Sequence, residues 1–130
     1  MEIHIEFTPG PISSPAPEAT TREVGAEVEF RGIVRETEGG RAIAGLNYEA
    51  YLPMAEREIR RIIDQLAGVW SCDAVCFIHR LGWVPVSEAS LYIRVRASHR
   101  DAAFRFCMVL IDQLKRDVPI WKSPLPAPQL

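Results

Sequence analysis

The sequence predicts an α+β domain with a mixed or antiparallel sheet and two main helices, and three observations carry that prediction. Apolar and polar side chains alternate at residues 2–7 and again at 25–35, the two-residue period of a half-buried strand. Two later stretches, after Pro53 and after Ser98, repeat apolar residues at three- and four-residue steps, as helices packed on one side do. Runs rich in branched and aromatic residues lie between those stretches, so strands and helices are interspersed. A chain of 130 residues with 48% hydrophobic and 25% charged residues suits one domain around one core.

Each element follows in order. Ile3, Ile5 and Phe7 face one side of the first strand, with Glu2, His4 and Glu6 on the other. Pro9-Gly10-Pro11 and Ser13-Ser14-Pro15-Ala16-Pro17 then mark a loop, with Glu18 to Glu23 as a connector or short helix. From Gly25 to Arg35 alternation resumes, and the turn Glu36 to Arg41 leads to a strand from Ile43 to Tyr51, expected to return beside it as a β-hairpin. Pro53 opens a helix through Ala55, Ile59, Ile62, Ile63 and Leu66 that ends at Gly68. Ala74 to Ile78 and Ser90 to Ala97 read as strands joined by His79 to Val86. Ser98 followed by Asp101 resembles a capping box for a helix through Ala103, Phe106, Cys107, Leu110, Ile111 and Leu114 to Lys115. Pro119 ends any helix, Ile120 to Lys122 should be extended, and Pro124, Pro126 and Pro128 suggest a polyproline-like tail. The expected organisation is therefore a domain over residues 1–122 and a proline-rich tail over 123–130.

Composition excludes several functions. A net charge of −2 and a pI near 5.9 argue against a general nucleic-acid binder, so any cationic site must be local. The N-terminus has neither a basic start nor a long apolar run, which predicts no signal peptide and no membrane span; the cytoplasm is the expected compartment. Cys72, Cys76 and Cys107 lack a CxxC pair and read as packed or surface thiols, with no metal site and no cofactor expected. No nucleophile triad, glycine-rich phosphate loop or paired carboxylate appears either.

The informative residues are cations. Of the 15 basic residues, only Lys115 and Lys122 are lysines. Arginine keeps its proton, whereas a lysine amine can be tuned to exchange one, although an arginine-biased composition alone accounts for the count equally well. With Ser98 as N-cap, His99 and Arg100 fall in the first helical turn, where free N–H groups and the helix dipole attract anions and where cations are unfavourable by about 0.3–1 kcal/mol each. A phosphate or carboxylate bound there reverses that cost; solvation alone also tolerates it. Lys115 is about 20 Å away along the same helix, too far to share one small ligand unless two protomers contribute. Lys115 at a helix C-terminus also suits the dipole. His79-Arg80 at a strand end is the weaker second polar pair, and His4 has no evident partner.

The series Gly25-Ala26…Phe30-Arg31-Gly32-Ile33-Val34-Arg35, Leu46-Asn47-Tyr48-Glu49-Ala50-Tyr51…Met54-Ala55, His79-Arg80-Leu81-Gly82, Ser98-His99-Arg100…Ala103-Phe104 and Asp112…Leu114-Lys115…Pro119-Ile120-Trp121-Lys122 resembles the large, catalytic subunit of molybdopterin synthase from about residue 3 to Lys122. The resemblance implies an α/β-hammerhead fold and a homodimer bearing one small ubiquitin-like sulfur-carrier subunit at each end, a heterotetramer. It implies a sulfurtransferase: the thiocarboxylated Gly-Gly terminus of the carrier gives sulfur to cyclic pyranopterin monophosphate, forming the dithiolene of molybdopterin. Carried over by position, the catalytic residues are Lys115 and Lys122, and the substrate-binding residues are Arg35, His99 and Arg100. One departure stands out. The family usually has an acidic residue two positions after the second lysine and a longer C-terminal segment, whereas this chain continues Ser123-Pro124. An adaptor that binds the carrier without turnover is the alternative expectation.

Overall fold

A computed structural model describes residues 1–15 and 22–127. The elements are β1 (Glu2–Thr8), β2 (Ala26–Ile33), β3 (Thr37–Glu38), β4 (Arg41–Ala50), α1 (Leu52–Ala67), β5 (Ala74–Arg80), β6 (Gly82–Pro85), β7 (Ala89–Ala97), α2 (Arg100–Asp117) and β8 (Ile120–Pro126). One sheet has the order β1-β5-β7-β2, with β1 parallel to β5 and the other pairs antiparallel. In the second, β4 pairs antiparallel with β3, β6 and β8. This is the α+β architecture with mixed and antiparallel sheets and two main helices that the alternation and helical periodicity predict.

The two helices cover one face of the first sheet. Ile59, Ile62, Ile63 and Leu66 of α1 and Ala103, Phe106, Leu110 and Leu114 of α2 pack with Val75, Phe77, Ile93 and Val95 in one continuous core. Both central strands, β5 and β7, are buried almost throughout, because one face meets the helices and on the other Cys76, Ile78 and Tyr92 cluster with Ile12 packed against them. Edge strands β1 and β2 alternate instead, turning Ile3, Ile5, Phe7, Val28 and Phe30 toward the helices. A smaller cluster of Val34, Ile43, Leu46 and Val84 holds the second sheet. No helix among the described residues is long and apolar enough to cross a membrane.

Four sequence expectations change here. Strand β2 does not form a hairpin with β4; it pairs with β7, and the chain leaves it at an irregularity between Gly32 and Ile33. The tight hairpin is β3–β4, turned by Gly39 and Gly40 at φ 58° and 78°, a backbone region glycine enters without Cβ strain. The supposed connector after Ile78 is structured: β5 runs on to Arg80, and Gly82–Pro85 forms β6 against β4. That pairing needs Gly45, where a Cβ would run into the Val84 carbonyl and the Trp83 ring.

The α2 N-cap is His99 rather than Ser98, with no side-chain cap bond, and the Asp101 carboxylate accepts instead from Arg105 Nε at 2.9 Å. Residues 123–126 are not a free polyproline tail but the second half of β8, with Pro124 opposite Leu46 and Pro126 opposite Ile43. Tyr51 N donates to Pro119 O and Ala127 N to Ala42 O, so odd-numbered residues of β8 aim their backbone groups at β4 and even-numbered ones aim away. Both prolines are even-numbered, and their missing N–H groups cost the ladder nothing. The connector expected at 18–23 falls in part, and Pro128 wholly, outside the described residues.

Candidate active site

A cavity of about 610 Å³ opens where the two sheets meet the C-terminal end of α2. Arg35, Lys115 and Lys122 all line it, each delivered by a different part of the chain. Arg35 follows β2 on a segment fixed by Val34 N to Glu88 O at 3.0 Å and Ser87 N to Val34 O at 2.8 Å. Lys115 sits in the last turn of α2, which closes with Val118 N donating to Leu114 O at 3.3 Å. Lys122 lies opposite Tyr48 in the β4–β8 ladder.

Electrostatically, the cavity favours anions. Three cations line it against one carboxylate, Glu38, whose Oε1 is 3.0 Å from Lys122 Nζ. Arg35 and Lys115 make no side-chain hydrogen bond or ion pair among the described residues, so both keep their donors for a ligand. Below the cations the walls turn apolar, with Phe30, Leu91 and Leu114. The site can therefore hold a charged group at its rim and a flatter, less polar body beneath.

His79 belongs to this lining, a residue the sequence left as a strand-end histidine. It is only 5% exposed, and its Nδ1 lies 2.8 Å from the Arg80 carbonyl oxygen. Its ring packs edge-on against Tyr48 at 5.0 Å and stacks over Phe7 at 6.4 Å. Burial pushes its pKa below the ordinary 6.5, with the backbone bond opposing in part. The imidazole is thus neutral at pH 7. Neighbouring Arg80 is absorbed by Glu88 at 2.7 Å.

His99 and Arg100 do not line the cavity. Both are exposed at the far end of α2 from Lys115, sixteen and fifteen residues or about 22–24 Å of helix away. His4, unassigned from sequence, pairs with Glu6 at 3.0 Å. The cysteines are buried and outside the cavity lining, and burial raises their pKa values, Cys72 and Cys107 to about 11. Thiols so protonated are poor nucleophiles at neutral pH.

The sequence profile of the family described as MoaE protein matches residues 7–117. This chain belongs to the MoaE family. The MoaE match spans Arg35, His99, Arg100 and Lys115, with Lys122 just beyond it. The human protein named molybdopterin synthase catalytic subunit is 45% identical over 101 residues, 78% of this chain and 54% of the human one. The chain thus spans about half the length of the curated mammalian relatives it matches, 54% of the human and 50% of the rat protein. Among solved structures, the molybdopterin synthase from Staphylococcus aureus superposes with a TM-score of 0.84 at 31% identity, covering 95% of this chain and 91% of that one. A complex of subunits 1 and 2 of molybdopterin-converting factor from Helicobacter pylori contains a chain of the same fold, with a TM-score of 0.67 at 22% identity over 83% of this chain and 75% of that one.

Proposed function

We propose that this chain is the catalytic subunit of a molybdopterin synthase, transferring sulfur from the thiocarboxylated Gly-Gly terminus of a small ubiquitin-like carrier to cyclic pyranopterin monophosphate. The observation that carries the proposal is the convergence of Arg35, Lys115 and Lys122 on one cavity in a MoaE-family chain. Lys115 stands nearest the incoming carrier carbonyl in this scheme and polarises it or protonates the leaving group. Lys122 and Arg35 hold the pterin or its charge. A terminal Gly-Gly, having no side chains, needs little room to thread into the cavity.

A homodimer supplies what one protomer lacks. His99 and Arg100 lie too far from Lys115 to meet the same small molecule, so in this proposal a second copy presents them to the phosphate. The outward face of α2 supports the pairing: Phe104 and Met108, one turn apart, are 58% and 65% exposed. The Helicobacter pylori complex, in which subunits 1 and 2 of molybdopterin-converting factor associate, supports the expectation of a small partner.

Reconstitution with a thiocarboxylated Gly-Gly carrier and the cyclic precursor, scored for dithiolene, tests the proposal. Carrier binding without product at saturation would turn the reading to a non-catalytic adaptor. A second expected result concerns the phosphate. Arg100→Ala should weaken precursor binding by roughly ten- to a hundredfold, the worth of a charge-assisted hydrogen bond, and leave carrier affinity unchanged. Calorimetric titration of both ligands reads the difference, and equal losses for the two would place the phosphate elsewhere.

A further inference from the structure

We propose that His79 contacts the bound precursor directly, its Nε2 accepting a hydrogen bond from an N–H or O–H of the substrate's ring system on the cavity floor. The assignment rests on the sulfur-transfer reading above and adds a residue to it. Its basis is the geometry of one ring. A carbonyl oxygen can only accept, so the 2.8 Å contact with Arg80 O places the ring proton on Nδ1. The neutral imidazole then carries its lone pair on Nε2, which makes no hydrogen bond among the described residues although His79 lines the cavity. Phe7, Phe77 and Tyr48 pack around the ring and hold its orientation.

The rest of the lining makes such an acceptor scarce. Arg35, Lys115 and Lys122 only donate, and the Glu38 carboxylate is engaged by Lys122. Ser90 Oγ is turned to the Gly32 carbonyl at 3.4 Å. A ligand with an anionic group at one end and polar hydrogens on a fused ring at the other fits this division: cations at the rim, an uncharged acceptor below. Besides Arg35, Glu38, Lys115 and Lys122, the titratable lining group is Tyr48 on β4; on the strands flanking β5, the residues opposite His79 are Phe7 and Leu91, neither ionisable. Burial keeps the imidazole neutral down to a pH below 6.5.

Two substitutions in the full chain separate contact from packing. His79→Asn keeps an amide N–H close to the Nδ1 position and deletes the cavity acceptor; His79→Gln brings an amide oxygen close to Nε2 and gives up the bond to Arg80. Calorimetric titration with the cyclic precursor should show about tenfold weaker binding for the asparagine variant and a change within about threefold for glutamine. A purely structural role gives the reverse order and overturns the assignment. Acidification is the second readout. Once pH falls below the lowered pKa of the ring, Nε2 is protonated and turns from acceptor to donor, so wild-type affinity should then fall relative to His79→Gln, whose amide does not titrate. Should His79→Asn fail to fold, that ratio decides, read on both sides of the His79 protonation as followed by NMR, and a ratio constant across that protonation overturns the assignment. Equal binding by wild type and both variants removes His79 alone. No precursor binding by the wild type removes the sulfur-transfer reading and this assignment together.

Discussion

Lys115→Arg is expected to lower dithiolene formation by about a hundredfold or more in the reconstituted reaction, the range in which a positioned proton donor acts. Arginine keeps the positive charge at the end of α2, so electrostatic attraction for the substrate and the favourable interaction with the helix dipole both survive. What it loses is an amine able to give up and regain a proton, together with the smaller head group that lysine brings to the cavity lining. Carrier and precursor affinities should therefore change much less than turnover. Single-turnover assays with thiocarboxylated carrier separate the two, and full activity in the variant would show that charge alone suffices.

Phe106→Ala should destabilise the fold by about 3–5 kcal/mol, the cost of removing a fully buried aromatic side chain and leaving a void. Phe106 is 0% exposed and belongs to the core that α1, α2 and the first sheet share. The melting temperature should fall by roughly 10–20 °C for a domain of this size. Denaturant titration with an unchanged slope would attribute the loss to the native state. A drop under about 1 kcal/mol would mean that the neighbouring side chains close the gap.

The elements that were legible in the sequence are those whose periodicity reports burial. Ile59, Ile62, Ile63 and Leu66 mark one face of α1 as clearly in the sequence as in the core they enter. Alternation in β1 and β2 likewise announces which side faces the helices, but it carries no information about partners. Hence β2 was expected beside its neighbour in sequence, when its partner β7 is some sixty residues on. Strand β6 is only 4 residues long and too brief for a period to emerge. In β8 the prolines, ordinarily evidence against a strand, concealed one.

The candidate site divides along similar lines. Lys115 and Lys122 stood out because lysine is rare in this chain, and the fold brings both to the cavity with Arg35. His79 carried no such signal: only the third dimension shows that the last inward-facing side chain of β5 ends at a void rather than in packed core. His99 and Arg100 stand exposed at the start of α2, and their distance from Lys115 follows from the length of that helix, which the sequence already conveys.

The prolines of β8 have a consequence for the molecule in a crowded solution. On the side turned away from β4, Pro124 and Pro126 have no N–H to offer, and Ile120 N is already committed to Val118 O at 2.8 Å. Lys122 supplies the remaining outward donor among the even-numbered positions, and its charged side chain stands at the same place. A stray strand from another molecule arriving at this border would find carbonyls without matching donors, beside a cation it must desolvate. The sheet edge is blocked here by chemistry rather than by cover, although Trp121 and Leu125 beside it are both largely exposed.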